Sequence, residues 1–266
     1  MVGNMSIKKY IRLWWLMTSM VSQNAFVSRF GAIIFILGKI LRFASFLFFL
    51  IILLSRTHAL VNYNIWQIIF FYTTFNLVDS FAQFFLREVY RFRTYVISGD
   101  FDYILTKPIP TLFRILFGGS DALDIPMLLI SIAILVFSIG KIGNITTLGV
   151  FLYLSLLING FIIAFSFHIL VISIGILTAE VDNALWLYRD LTAMGRLPID
   201  IYKDPMRFLI TFVIPVGIMM TFPAKALFGI LSAKLFFLSV IVGLTLLYLS
   251  LRLWKFSLKN YTSASS

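Results

Sequence analysis

Few residues in this chain have types and spacings suited to catalysis or metal binding. The sequence has no cysteine, and its two histidines, His58 and His168, lie far apart. Neither belongs to an H-E-x-x-H metal motif, and no G-x-S-x-G nucleophile turn occurs. A single histidine inside an apolar run, as at His168, indicates a polar functional site or a hydrogen bond to a neighbouring helix, and we favour the hydrogen bond. The sequence therefore predicts no enzyme, and no metal or cofactor bound by this chain.

Charged side chains inside apolar runs are the next candidates, because they are unfavourable in lipid. Lys39 and Arg42 lie three residues apart in the first long apolar run, and therefore on one face of a helix. A cation near the middle of a bilayer costs about 2.5–3.5 kcal/mol on insertion scales. Two interpretations remain open: the side chains extend to the inner headgroups, or they form a basic patch for the anionic group of a lipid-like substrate. Asp79 in the next apolar run is a candidate counter-ion.

A polar stripe occurs in the second apolar run. Asn76, Asp79, Ser80 and Gln83 recur at a spacing that places them on one side of a helix. Such a stripe suits a helix interface or a translocation path. The candidate substrate-pathway residues are therefore Lys39, Arg42, Asn76, Asp79, Gln83 and His168.

Membrane helices are the elements that must position these residues. Of the 266 residues, 61% are hydrophobic and 12% are charged, with a mean hydropathy of +0.99. Soluble domains are about 45–50% apolar and about 25% charged. The net charge of +11 would suggest nucleic acid in a soluble protein, but here the basic residues flank apolar runs and indicate membrane topology and anionic lipid headgroups. The predicted fold class is an all-α membrane protein that binds no nucleic acid.

Six runs are long enough to cross a bilayer, which takes about 20 apolar residues. They are residues 31–55, 63–86, 122–140, 148–177, 206–222 and 232–254. With the N-terminus inside, the outer segments hold only Arg56, Lys141, Lys225 and Lys234. Because lysine and arginine favour the cytoplasmic side, we predict cytoplasmic N- and C-termini and no extracellular domain. Residues 1–266 are predicted to form one membrane domain, whose first span is retained because no cleavage-site pattern precedes it.

Two further helices are predicted at the inner surface. Residues 5–28 carry an apolar stripe that includes Trp14, which is typical of an amphipathic interfacial helix or of a simple flanking anchor. The segment EVDNALWLYRDLTAM has a similar stripe, and Gly195 is a suitable stop after it. We place this segment in a cytoplasmic interfacial helix and loop over residues 178–205. The alternative is that it prolongs the fourth span.

The predicted cytoplasmic loop between the second and third spans, residues 87–120, contains the stretch SGDFDYILTKPIP. Asp100 is suited to cap a short helix that begins at Phe101. Lys107 and Pro108 end that helix, because proline cannot donate a hydrogen bond and restricts the residue before it. This patterning predicts a compact, capped structure at the inner surface rather than a passive connector.

ATP binding by this chain is not expected. A phosphate-binding loop needs G-x-x-x-x-G-K-[ST], and the nearest match, Gly38 with Lys39, is followed by isoleucine inside the first span. Any energy for transport must therefore come from another chain or from an ion gradient.

Several stretches resemble a known family. SGDFDYILTKPIPTLFRILFGGSDALD is similar to the loop between the second and third spans of ABC type-2 transporter permeases. LVDSFAQFFLREVYRFRTYVISGDFDYILTKPIP resembles the short six-span subgroup without an extracellular domain, and RLPIDIY followed by FVIPVGIMMTFPAKALFG is similar to that subgroup around its fifth span. The resemblance covers nearly the whole chain.

The resemblance implies an exporter permease in a bacterial-type plasma (inner) membrane. Two permease chains, identical or similar, would form the pathway, and two cytoplasmic ABC ATPase subunits would drive it with ATP and Mg²⁺. The leader helix would match the family's connecting helix, and FPAKALFG the outer re-entrant segment before the last span. The ATPase-coupling residues, with a contact face over residues 101–105, would be Asp100, Phe101, Asp102, Tyr103, Leu105 and Lys107. Ile97 and Ser98 stand where the family commonly has a charged residue, so the chain departs from the family's pattern there.

Two other classes remain open at this point. An autonomous secondary transporter or channel would need ionisable relays in several spans, and only Lys39, Arg42, Asp79 and His168 are available. A structural membrane scaffold would not need the patterned inner loop. The sequence names neither the cargo nor whether the two permease chains are identical.

Overall fold

The part of the chain that the structure describes is predominantly helical. The structure is a computed structural model, and it describes residues 6–57, 61–178 and 181–262, so that His58 lies outside it. The α-helices are α1 (Ile7–Val27), α2 (Arg29–Thr57), α3 (Ile65–Leu86), α4 (Phe92–Ser98), α5 (Asp100–Thr106), α6 (Thr111–Phe117), α7 (Ile125–Ile142), α8 (Thr147–Thr178), α9 (Val181–Ala193), α10 (Met206–Phe208), α11 (Phe222–Leu227) and α12 (Ala233–Lys259). No strand occurs within the described ranges, in agreement with the predicted all-α class.

Within the described ranges, five helical segments are long and apolar enough to cross a membrane. They are Arg29–Arg56, Ile65–Ser98, Ala122–Ile142, Thr147–Thr178 and Ala233–Lys259. Each overlaps a predicted span, so five of the six predictions are confirmed as candidate spans. The sixth candidate is the pair Met206–Val213 and Gly217–Leu227, which is bent by 77°. Pro215 lies in the break, where it removes a backbone donor, so the predicted span at 206–222 is not a continuous helix.

Aromatic contacts define two ends of the helical bundle. At one end, the ring of Phe101 in α5 lies 4.9 Å from that of Tyr261, which follows α12. At the other end, Trp66 at the start of α3 lies 5.6 Å from Phe137 near the end of α7. We call the first the α5 end. We call the second the hairpin end, after the bent pair Met206–Val213 and Gly217–Leu227 described below. Six-span connectivity requires the two termini to share one end, and α12 does finish at the α5 end.

The N-terminal helix α1 also lies at the α5 end. The indole Nε1 of Trp14 donates to Ser120 Oγ at 2.8 Å, and the amide of Ser120 donates to Thr18 Oγ1 at 3.4 Å. The rings of Tyr10 and Phe113 meet edge to face at 4.9 Å. These contacts make α1 a packed part of the fold and confirm a helix within residues 5–28. Its location in the membrane interface stays a prediction.

Helix α9 carries the chain from the α5 end to the hairpin end. At its start, Asp182 pairs with Arg93 of α4 at 3.0 Å. Beyond its end, Asp200 accepts hydrogen bonds from the Tyr63 hydroxyl at 2.9 Å and from Lys225 Nζ at 2.6 Å. Tyr63 directly precedes the start of α3, so Asp200 lies at the hairpin end. Burial and the nearby carboxylate raise the pKa of Tyr63, which keeps its hydroxyl protonated as the donor of this contact.

The path of α9 corrects the sequence prediction for residues 178–205. That segment was placed entirely in a cytoplasmic helix and loop, on the same side as Arg93, whereas Asp200 lies at the opposite end of the bundle. Residues 179 and 180, where the predicted helix begins, are outside the described ranges. The helix has a buried stripe, and Arg189 and Thr192, on or beside it, line a cavity inside the bundle, whereas Asn183 and Asp190 are exposed.

The bent pair is a re-entrant hairpin that begins and ends at the hairpin end. Phe208, near its start, and Lys225, near its finish, border one pocket together with Leu235 of α12. Its middle reaches into the bundle, because a Cβ built on Gly160 of α8 would lie 2.7 Å from the carbonyl oxygen of Met219. The sixth passage between the two ends is therefore made by α9 and the residues after it. A re-entrant FPAKALFG segment agrees with what the family resemblance implies.

Replacing Gly160 with alanine is expected to destabilise the fold by about 1–3 kcal/mol, because the new methyl group would overlap the backbone of the hairpin. The control is Gly140→Ala in α7, where a Cβ meets nothing within 4 Å. That change is expected to be neutral or stabilising, since alanine is favoured over glycine inside helices. Thermal unfolding in detergent compares the two variants, and equal unfolding temperatures would contradict the close approach.

Candidate functional site

A cavity of about 340 Å³ opens between α2, α3 and the region of α9. Its polar lining consists of Arg42, Ser45, Asn76, Asp79, Arg189, Thr192 and Arg196. The aromatic part of the lining is Phe46, Phe49, Tyr72 and Phe75. The buried stripe of α9 (Val181, Leu185, Tyr188 and Thr192) adjoins this lining, because Arg189 lies four residues after Leu185. Asn183 and Asp190 of α9 are exposed and do not line the cavity. Arg189 and Thr192 thus supply part of the polar wall of an internal cavity.

A second cavity of about 280 Å³ adjoins the first and shares Arg42 and Arg189 with it. Lys39, Gln83 and Arg87 also line this smaller cavity. We call the two together the arginine recess. Its charged and amide residues are Lys39, Arg42, Asn76, Asp79, Gln83, Arg87, Arg189 and Arg196.

Two of the recess cations are paired with carboxylates. Lys39 Nζ contacts Asp124, and the side chains of both are nearly buried, at 11% and 2% exposure. Arg87 lies 3.6 Å from Asp121. Asp79 was a candidate counter-ion for both Lys39 and Arg42. Lys39 instead contacts Asp124, the N-cap of α7, whereas Asp79 feels the charge of Arg42 at longer range.

The remaining arginines of the recess have weaker local partners. Within the residues that the structure describes, no carboxylate oxygen lies within 4 Å of the side-chain nitrogens of Arg42, Arg189 or Arg196. Asp79 accepts a hydrogen bond from Gln83 Nε2 at 2.7 Å, and it feels the charges of Arg42 and Arg189 at longer range. The recess therefore contains guanidinium groups without a contacting counter-charge.

The structure brings together five of the six predicted substrate-pathway residues, all except His168. That side chain is buried in α8, with Nδ1 2.8 Å from the carbonyl oxygen of Ala164 and its ring 4.8 Å from that of Tyr188. Its hydrogen bond stays within its own helix, and it lines neither cavity of the recess. Sequence reasoning missed Arg189 and Arg196, because it assigned them to a cytoplasmic segment.

Glu88 organises the α5 end. Its side chain is 1% exposed; Oε1 accepts hydrogen bonds from Tyr95 at 2.6 Å and from Arg114 at 2.9 Å. Oε2 accepts one from Arg91 at 3.1 Å. One carboxylate thus joins the end of α3 to α4 and α6. Sequence reasoning missed it, although an acidic residue beside an arginine cluster was a usable signal.

The short helix α5 has nearly the predicted limits. It begins at Asp100, one residue earlier than expected, and Gly99 is its N-cap with a φ of 79°. Asp100 does not cap the helix; its carboxylate accepts a hydrogen bond from Ser98 Oγ at 2.7 Å. The helix ends at Thr106 with Lys107 as C-cap, which confirms the predicted stop.

One face of α5 is buried and the other is exposed. Phe101 is fully buried and lies 5.3 Å from Phe92, so it anchors the helix and does not form part of the predicted contact face. Tyr103 is 64% exposed, and Lys107 Nζ lies 3.7 Å above its ring. The residues of the exposed face are Asp100, Tyr103, Leu105 and Lys107, whereas Asp102 is half-buried.

Family membership follows from a match over most of the sequence. A family model described as ABC-2 family transporter protein matches residues 40–265. The chain belongs to this family. The match includes the whole α5 end except α1, and all of the arginine recess except Phe35, Gly38 and Lys39. It confirms the resemblance to ABC type-2 permeases.

Membership gives the ABC-2 chain a general role. It is a multi-pass membrane protein and a permease component of an ABC transporter, and members of such a family associate with ABC ATPase partners. No curated protein and no solved structure matches this ABC-2 chain. Its substrate and its detailed mechanism must therefore be argued from its own residues.

Proposed function

We propose that this chain is the permease subunit of an ATP-driven exporter and that α5 docks on a cytoplasmic ABC ATPase. In this proposal two permease chains form the pathway, two ATPase subunits bind and hydrolyse ATP with Mg²⁺, and this chain binds neither. The observation that carries the proposal is the two-sided character of α5. Phe101 fixes the helix to the bundle, while Tyr103 projects into solvent at the end where the chain also finishes.

The α5 end is built to pass movement into the bundle. Phe101 contacts Phe92 of α4 and Tyr261 after α12, at 5.3 and 4.9 Å. Next to it, Arg93 of α4 pairs with Asp182 of α9 at 3.0 Å. A displacement of α5 by the ATPase would therefore act on α9, which supplies Arg189 of the recess and is followed by the turn that holds Arg196. This linkage supports coupling between ATP hydrolysis and a pathway through the recess.

Charge distribution supports a cytoplasmic α5 end in a bacterial-type plasma membrane. Basic residues of α1, of the segment from α3 to α6, and of the last turns of α12 gather at this end, as the positive-inside rule expects. At the hairpin end, Lys225 and Arg207 pair with Asp200 and Asp204. The correction to the path of α9 moves Lys203 and Arg207 to the hairpin end but leaves the bias in place.

Replacing Tyr103 with alanine is expected to weaken ATPase binding by about tenfold or more, because exposed tyrosines are frequent binding hot spots. The test uses the full-length chain in lipid nanodiscs and the ABC ATPase encoded in the same genome, with affinity measured by surface-based binding. Tyr248→Ala is the control, since Tyr248 is 56% exposed but lies within α12. Equal binding by Tyr103→Ala and wild type would reject docking through α5, and transport without any ATPase would favour a secondary transporter.

A further inference from the structure

The larger cavity of the recess has an excess of positive charge. Its charged lining residues are Arg42, Arg189, Arg196 and Asp79. Among the described residues that line it, Asp79 is the one carboxylate, so the lining carries a net charge of about +2. The two other recess cations do not change this balance, because Asp124 and Asp121 already neutralise them.

Such an excess is unfavourable at this location. The cavity lies among helices that are long and apolar enough to span a membrane, where an unpaired charge is expensive. Water alone screens such charges incompletely in a cavity with aromatic walls. A bound anion with two negative charges would balance the lining. A phosphate monoester has this charge near neutral pH, and guanidinium groups bind it through paired hydrogen bonds.

The surroundings of the arginines suit an amphiphile better than a small ion. Helices α2 and α9 scarcely touch each other, since α2 packs on α3 and α9 packs on α8, so the cavity opens between them. Phe49, at the edge of this opening, is 52% exposed. Arg196 lies 5.9 Å from the rings of Phe46 and Phe75, which places apolar surface directly beside the cation. A polar headgroup and an apolar chain can therefore be accommodated together.

We propose that the arginine recess binds the doubly charged phosphate headgroup of a membrane amphiphile, whose apolar chain lies against Phe46 and Phe49. The arginines hold the phosphate, and Asp79, which feels Arg42 and Arg189 at longer range and contacts neither, opposes the anion. The inference that this amphiphile is the exported class of molecule rests on the proposed function. The inference that the recess binds the phosphate headgroup does not rest on the proposed function.

Binding is tested with the purified full-length chain and a fluorescent short-chain phosphatidic acid in detergent micelles. Arg42→Gln and Arg189→Gln are each expected to weaken binding by about tenfold, because each removes a charge-assisted contact to the phosphate. Arg56→Gln is the matched control, since Arg56 is an exposed arginine at the other end of the same helix. It is expected to retain the wild-type affinity.

Asp79→Asn distinguishes a binding role from a merely structural one. The change keeps an acceptor for Gln83 and removes the negative charge that opposes the phosphate. We expect affinity for the phosphatidic acid probe to rise about fivefold, the opposite direction from the arginine variants. Weaker binding by Asp79→Asn would overturn the assigned electrostatics.

Two further probes identify the source of the phosphate. A phosphatidylcholine probe with the same chains is expected to bind at least about tenfold more weakly, because its headgroup has no net charge. Displacement of the phosphatidic acid probe by equimolar inorganic phosphate would overturn the proposal that an amphiphile binds. It would indicate that the recess binds a soluble phosphate compound. Equal affinity for both lipid probes, or unchanged affinity in both arginine variants, would overturn the anion site. These measurements omit the ATPase. A negative result would therefore not argue against docking through α5, and a negative docking result would not argue against phosphate binding in the recess.

Discussion

Replacing Glu88 with alanine is expected to lower the free energy of unfolding by about 3–5 kcal/mol, because it breaks a buried ion pair from one side. The carboxylate is 1% exposed and accepts hydrogen bonds from Tyr95, Arg91 and Arg114. Arg91 is half exposed and can be solvated by water after the change. The side chain of Arg114 is only 27% exposed, so its charge would be left partly desolvated without its partner.

Two comparison variants make the Glu88 experiment specific. Glu88→Gln retains the shape and one acceptor oxygen, so its effect is expected to fall between wild type and Glu88→Ala. Asp182→Ala breaks the exposed pair with Arg93 at the same end and is expected to cost less than about 1 kcal/mol. Unfolding by sodium dodecyl sulfate, followed by circular dichroism, ranks the three. Similar unfolding midpoints for Glu88→Ala and Asp182→Ala would refute the role of Glu88.

Lys39→Met is expected to destabilise the chain by about 3–5 kcal/mol, because it leaves the buried carboxylate of Asp124 without its cation. Oδ2 of Asp124 has no hydrogen-bond partner in the described part of the chain, so little else compensates the charge. The double variant Lys39→Met with Asp124→Leu removes both charges. Its stability is expected to return most of the way to wild type, since well-packed apolar residues replace buried pairs with little loss.

The Lys39 experiment also separates the two interpretations left open by the sequence. A lysine that extends to lipid headgroups would tolerate methionine, and the single variant would unfold like wild type in the same detergent titration. A lysine that pairs with Asp124 would show a strong interaction energy in the double-mutant cycle. The contact between α2 and the start of α7 predicts the second result.

Hydrophobic runs made five of the candidate spans predictable, because a bilayer imposes a length that the sequence displays directly. The end of α5 at Lys107 and Pro108 was equally predictable, because proline restricts the backbone of the residues next to it. Which side of α5 is buried could not be predicted from the neighbouring residues in sequence. Phe101 was expected to contact a partner, and only the approach of Tyr261 from the far end of the chain shows that it is enclosed.

The path of α9 shows why the recess could not be predicted in full. Periodicity places Leu185 and Tyr188 in one buried stripe of α9, with Arg189 beside it. It does not tell whether Arg189 meets bulk water or a cavity between helices, and the charges favoured a cytoplasmic location. The partner of Lys39 is a similar case, because Asp124 is 85 positions away along the chain and is brought near by the packing of α2 on the start of α7.

The path of α9 also bears on how the protein is made. It has 13 residues and includes Asp182, Arg189 and Asp190. Charged residues raise the free energy of inserting a helix into the membrane. The insertion machinery would therefore not insert α9 as an independent transmembrane helix. It can cross only where α3 and α8 already offer it a polar and an apolar neighbour. The consequence is an order of assembly, in which α3 and α8 are in place before α9 crosses.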